Sequence, residues 1–224
     1  MSLSAVVFDL DGTLVDTLPD LHAAVRALLG ESGLDTPAAA EVRTMIGDGA
    51  RRLVERALAW AKAPVDEAGL DTAYRRFLEI YGAAPCEASG LYAHVETTLG
   101  ALAAQGLQLG VCTNKPQAPS EAILETLGVS RFFAAVVGGD AVPRRKPDPA
   151  HLLDVLDRLG AKPAAAVMVG DSHNDVAAAR AAGVRCILVD YGYTAVPARD
   201  LGADRVIGGF AELEAALAGL PSST

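Results

Sequence analysis

Short apolar runs with no polar alternation recur along this chain. They read as strands at Ala5 to Asp9, Leu107 to Cys112, Ala134 to Val137, Ala165 to Val169 and Val184 to Val189. Arg205 to Ile207 is read as a last, short one. Between them lie stretches with helical spacing: Val95 to Gln105, Gln117 to Leu127, Ala150 to Leu159, Asp175 to Ala182 and Phe210 to Ala218. A strand that is apolar on both sides must be covered on both sides. Strands of that kind alternating with helices predict an α/β fold with a doubly wound, mainly parallel sheet.

One region breaks the rhythm. Leu18 to Leu29, Pro37 to Met45, Ala50 to Ala61 and Glu67 to Tyr81 are all helix-like, and no convincing strand lies between Asp16 and Glu87. The expected organisation is a Rossmann-like core, residues 1–16 and 89–224, with an inserted α-helical cap domain, residues 17–88. The joints fall near Val15 to Leu18 and Cys86 to Leu91, the second rich in small and turn residues (PCEASG). There is no internal repeat, and the tail LPSST is expected to fray.

Composition narrows the function. With 224 residues, 51% of them hydrophobic and 21% charged, the chain has ample material for a core. A net charge of −9 argues against a nucleic-acid partner, which needs clustered Lys and Arg. It leaves room for a small anionic substrate held at a locally positive site. The cysteines, Cys86, Cys112 and Cys186, are odd in number and lack zinc-ligand spacing, as expected of a reduced cytoplasmic protein. No segment has the length of a signal peptide or a membrane span, so no membrane partner is expected. Monomer and homodimer both remain open.

The polar residues that follow the strands carry the chemistry, because ligands of open parallel sheets bind beyond the strands' carboxyl ends. The first strand runs into Asp9, Asp11, Gly12 and Thr13. LGVC runs into Thr113, Asn114 and Lys115. VVGGD leads to the basic turn Arg144, Arg145, Lys146, Pro147, and VMVG to Asp171, Ser172, Asn174 and Asp175. Any one of these alone reads as a turn or helix-cap residue. Together, several carboxylates at one end of a sheet would repel strongly without a cation. Oxygen-only ligands suit Mg²⁺ bound to a phosphate. One aspartate of the DxD pair can then attack phosphorus while the other carries a proton.

The motifs FDLDGTLVDT, VCTNKP, RRKPDP and VGDSHNDVAAARAAG, in that order, resemble those of the haloacid dehalogenase superfamily phosphohydrolases with a helical cap. The resemblance covers almost the whole chain. It implies Asp9 as the nucleophile and Asp11 as the acid and then the base. It implies Thr113 and Lys146 as holders of the phosphoryl oxygens, with Lys146 also orienting Asp9. It places Mg²⁺ on Asp9, Asp11 (through its main-chain carbonyl) and Asp171, with Asp175 as a ligand or supporting acid. Gly12, Thr13 and Asn114 fall in the phosphate-binding motifs. The dehalogenases themselves lack the second acid of DxD, so Asp11 favours phosphoryl transfer over C–Cl cleavage.

The cap is expected to set the substrate. MIGDGARRLVERAL resembles the cap segment of phosphoglycolate phosphatases, with Gly47 and Gly49 as a flexible loop and Arg51 or Arg52 able to meet a carboxylate. The competing reading makes both arginines exposed residues in ordinary ion pairs. Other expected substrates of the same machinery are pyrophosphate, sugar phosphates and nucleotide phosphates; a phosphomutase and an aspartate phosphoacceptor module are further alternatives. His22, His94 and His151 read as helix residues with no partner spacing, His173 as scaffolding or a rim contact, Lys62 as surface and Trp60 as cap core or a cap-surface contact.

Overall fold

The structure is a computed structural model and describes residues 3–220; most of the tail, residues 221–224, lies outside the described residues. The sheet is built from β1 (Ala5–Phe8), β4 (Gln108–Cys112), β5 (Ala135–Val137), β6 (Ala166–Gly170), β7 (Arg185–Val189) and β8 (Arg205–Ile207). Its order is β5-β4-β1-β6-β7-β8, and every pairing is parallel. The order reverses between β1 and β6, so the crevice of this α/β sheet opens there.

Side-chain alternation sorts the core into two faces. Val6, Phe8, Leu109, Val111, Val167, Val169, Ile187 and Val189 pack on one side. They meet α5 (Val95–Ala104), α6 (Gln117–Thr126) and α9 (Leu213–Ala218). Ala5, Val7, Cys112, Met168, Cys186 and Leu188 face the other way, against α7 (Pro149–Arg158) and α8 (His173–Ala182). Phe8 stacks on Phe210 at 6.0 Å and meets Phe133 edge-on at 6.2 Å. The expected closing helix is divided into a 3-10 turn at Phe210–Glu212 followed by α9. Helix α8 starts two residues earlier than its periodicity indicated, because Asp175 reaches back to accept from the Ser172 N–H at 3.0 Å.

Four helices stand between the first two core strands in sequence: α1 (Leu18–Glu31), α2 (Ala39–Arg43), α3 (Ala50–Trp60) and α4 (Glu67–Ala83). Leu21, Val25, Leu53, Val54, Phe77 and Tyr81 are their buried face, continuous with the first side of the sheet. Trp60, about one-third exposed, donates its indole N–H to Glu41 at 2.8 Å, which ties α3 to the start of α2. The chain enters and leaves this region through an antiparallel ribbon of β2 (Val15–Asp16) and β3 (Gly90–Leu91). Two-residue strands show no periodicity, so the sequence carries no sign of them. The three cysteines are free, with Cys112 and Cys186 buried.

Buried Asp20, on α1, fastens the exit to the entry. Its carboxylate accepts from Ala88 N–H at 3.0 Å, Ser89 N–H at 2.8 Å and the Ser89 hydroxyl. Removing it strands two backbone donors. Asp20→Ala is expected to lower unfolding stability by about 2 kcal/mol in urea titrations; a loss below about 0.5 kcal/mol would show that water replaces the clasp.

Candidate active site

Asp9 follows β1, and Asp171 follows the adjacent β6, so the strand order alone sets these two carboxylates side by side across the crevice. Asp9, Asp171 and Asp175 are all buried and each offers an oxygen within 4.8 Å of the others. Gly12 permits this closeness. Its φ is +78°, and a Cβ there would lie 2.5 Å from Asp171 Oδ2. No side chain fits in that position.

Two buried lysines face the acids. Lys146 Nζ lies 3.1 Å from Asp9 Oδ2 and 2.6 Å from Asp175 Oδ1. Lys115 Nζ lies 3.0 Å from Asp11 Oδ1. Four carboxylates (Asp9, Asp11, Asp171, Asp175) therefore meet two ammoniums, a deficit of two positive charges. Burial, then Asp175 and Asp11, push Asp9 up to about 6, with the Lys146 ammonium and the Leu10 N–H holding it back. Burial, Asp175 and Asp9 likewise raise Asp171. Burial pulls both lysines down, but their carboxylate neighbours outweigh it and keep them charged. The donor set is all oxygen and short of two charges, which fits a hard divalent cation.

Hydrogen bonds fix each member. Asp9 Oδ1 accepts from the Leu10 N–H at 2.7 Å. Asp11 Oδ1 accepts from the Thr17 hydroxyl at 2.7 Å. Asp171 Oδ2 accepts from the Tyr193 N–H at 2.6 Å. Asp175 Oδ2 accepts from the N–H groups of Asp171 and Ser172 and from the Ser172 hydroxyl, so with Lys146 on Oδ1 both of its oxygens are engaged. Thr113 Oγ1 accepts from the Lys115 N–H at 3.2 Å, which leaves its own O–H available to donate.

The loop between α2 and α3 closes over this crevice. Asn114 Nδ2 donates to Gly47 O and to Lys146 O, each at 3.0 Å. Asn174 Nδ2 donates to Asp48 Oδ1 at 2.8 Å. Gly49, at φ +86°, would put a Cβ 2.9 Å from the Asn114 carbonyl oxygen, so only a glycine lets the loop lie this close. The cavity beneath is lined by Asp9, Asp11, Thr113, Asn114 and Lys115 from the sheet and by Gly47, Gly49, Leu53, Phe77 and Tyr81 from the helices.

Arg51 and Arg52 follow the ion-pair reading rather than the carboxylate one. Arg51 turns to Glu67 and Asp71 on α4, and the geometry does not bring it to the cavity. Arg52 pairs with Glu55. Arg56 pairs with Asp48, supporting the closing loop. The Thr13 side chain is fully buried, and its hydroxyl has no hydrogen-bond partner among the described residues. His173 is exposed and lines the rim beside Asp171.

His151 lies on α7, as expected, and its ring has partners that no sequence spacing marks. It is buried, accepts from the Lys146 N–H at 3.3 Å through Nδ1, and donates to Val137 O at 3.1 Å through Nε2. Burial and the Lys146 ammonium push it down to about 4, so it stays neutral. Tyr193 was also missed. Its hydroxyl donates to Asp16 at 2.7 Å and accepts from the N–H groups of Thr17 and Leu18. No spacing in the sequence marks Tyr193, whereas Lys115 stands among the polar residues after LGVC, where the sequence alone gives it no role.

Comparisons with known proteins point one way. A family model for haloacid dehalogenase-like hydrolases matches residues 3–183. A phosphoglycolate phosphatase of Rhodospirillum rubrum is 47% identical over 214 residues, 93% of this chain and 88% of its own length. One from Escherichia coli K12 is 43% identical, with 92% of this chain and 88% of its own length covered. The crystal structure of a predicted phosphoglycolate phosphatase from Haemophilus somnus superposes with a TM-score of 0.91 at 35% identity, covering 96% of this chain and 98% of that one.

The raised acids set a pH signature. Asp9 titrates near 6 when folded against 3.8 ordinarily, so the folded state binds its proton more tightly than the unfolded chain does. That contribution to stability is fully present below about pH 4 and is lost as pH rises through about 6, a change of roughly 3 kcal/mol for two pKa units. A divalent cation should reverse the loss. Millimolar Mg²⁺ is expected to raise Tm clearly at pH 8 and hardly at pH 4.5; an equal effect at both would remove the acids from the cation's site.

Proposed function

Because the chain belongs to the haloacid dehalogenase-like hydrolase family, we propose that it hydrolyses a small phosphomonoester through an aspartyl-phosphate intermediate, with 2-phosphoglycolate as substrate. The observation that carries the chemistry is the convergence of Asp9, Asp11 and Thr113 on one cavity, with Lys146 bound to Asp9 behind it. The phosphoglycolate phosphatase relatives, at 41–47% identity, support the substrate.

In this reading an Asp9 carboxylate oxygen attacks phosphorus and the bond to the leaving oxygen breaks. Asp11 gives its proton to that oxygen, releasing glycolate. A water then attacks the aspartyl-phosphate, its proton passing to Asp11, and phosphate leaves as the Asp9 carboxylate is restored. The free Thr113 O–H and the Lys146 ammonium hold phosphoryl oxygens where negative charge builds. Asp9, Asp171 and the main-chain carbonyl of Asp11 would hold Mg²⁺, which when bound draws charge off the phosphoryl oxygens. Asp175, with both oxygens engaged, positions Lys146 and the turn at Asp171. Residues 17–88 act as the cap over a core of residues 1–16 and 89–224, and the Gly47 to Gly49 loop shuts water out.

Asp9→Asn should reduce kcat by at least about a thousandfold and abolish phosphoenzyme formation while the protein stays folded. Asp11→Asn should cost about 10²- to 10⁴-fold on phosphoglycolate. With p-nitrophenyl phosphate, whose leaving group needs no proton, the burst of p-nitrophenolate that reports phosphoryl transfer should be slowed much less, while hydrolysis of the aspartyl-phosphate slows for both esters. A phosphate-release screen across phosphorylated metabolites checks the substrate: a sugar or nucleotide phosphate preferred over phosphoglycolate would discard that assignment and keep the chemistry.

A further inference from the structure

The cavity pairs a reactive end with an unusual wall. Leu21, Leu53 and Phe77 make most of that wall apolar. Among its lining residues Lys115 is the single cation, and its side chain is 3% exposed. Beside it stands Tyr81, from α4, with the Lys115 ammonium 4.5 Å from the ring centroid. Tyr81 is itself only 3% exposed, yet its hydroxyl makes no hydrogen bond of good geometry among the described residues, the Lys115 ammonium being near enough to interact with it but not aligned on it. A buried hydroxyl left unpaired is costly unless a ligand completes it.

We infer that Lys115 and Tyr81 form the subsite for the carboxylate of the substrate's leaving group. The inference rests on the phosphoglycolate reading and adds the residues that make the choice. An ammonium and a hydroxyl side by side, both in a dry wall, offer a carboxylate a charged donor and a neutral one. Lys115 lies 3.0 Å from Asp11, the group assigned to the leaving oxygen. A carboxylate one carbon beyond that oxygen is therefore within its reach. The apolar remainder of the wall works against sugar phosphates, whose hydroxyls would be buried there without partners. The recognition is shared: Lys115 comes from the sheet and Tyr81 from the helices, so the subsite exists only while the two are closed together.

The test compares 2-phosphoglycolate with ethyl phosphate, which lacks the carboxylate, in the wild type and in Tyr81→Phe and Lys115→Met. The readout is the ratio of kcat/KM for the two esters. The ratio is expected to fall about tenfold in Tyr81→Phe and about thirtyfold or more in Lys115→Met. Tyr81→Phe keeps the ring and its packing, so it reads the hydroxyl alone. If Lys115 serves only to position Asp11, both esters slow together and the ratio stays put, which overturns the inference. A wild type with no preference between the esters would instead overturn the phosphoglycolate reading. A wild-type preference that both variants retain would overturn the subsite alone.

Discussion

The structure depends on holding like charges together at the point where the strand order reverses. Asp9 and Asp171 are adjacent because β1 and β6 are hydrogen-bonded neighbours. The fold thus imposes the repulsion, and the surroundings moderate it. Lys146 bridges Asp9 and Asp175, Lys115 meets Asp11, and main-chain N–H groups of Leu10, Ser172 and Tyr193 point at the carboxylates. What remains unbalanced is two charges, the amount one divalent cation carries. The raised proton affinity of Asp9 and Asp171 and the expected need for a cation are the same fact seen from two sides.

The residues that shape the site also join it to the helical region. Asn114 and Asn174 follow β4 and β6 and reach the Gly47 to Gly49 loop from both banks of the crevice. Tyr193 links Asp171 through its N–H to the entry of the helices through its hydroxyl. The Arg43 guanidinium on α2 donates to the carbonyls of Tyr191 and Gly192 in the same loop. A shift of the helices is therefore felt at Asp171 through one side chain and one peptide.

The inner strands were legible in the sequence because they are apolar on both faces, and the polar residues of the crevice were legible because most of them sit just after those strands. Lys146 lies at the far end of a longer loop after β5, but Asp9, Asp11, Thr113 and Asp171 follow that one rule. It fails for contacts between distant elements. For Arg51 the sequence leaves a substrate carboxylate and an ordinary ion pair both open, and the pairing with Glu67 and Asp71 that decides between them depends on how α3 and α4 pack. His151 and Tyr193 carry no local signal, since their partners, Val137 and Asp16, are fixed only by the tertiary fold. The ribbon of β2 and β3 is too short to show a period.

That ribbon has an architectural consequence. Val15 pairs with Leu91 and Asp16 with Gly90, so the chain leaves the sheet and returns at almost the same place. Whatever lies between those pairs is a closed excursion whose length does not enter the register of the parallel strands. An ancestral sheet could exchange one excursion for another, longer, shorter or of different secondary structure, without moving an acid at the crevice. The reacting centre and the selector above it can then diverge at different rates, the first constrained by the sheet and the second free to sample new wall shapes.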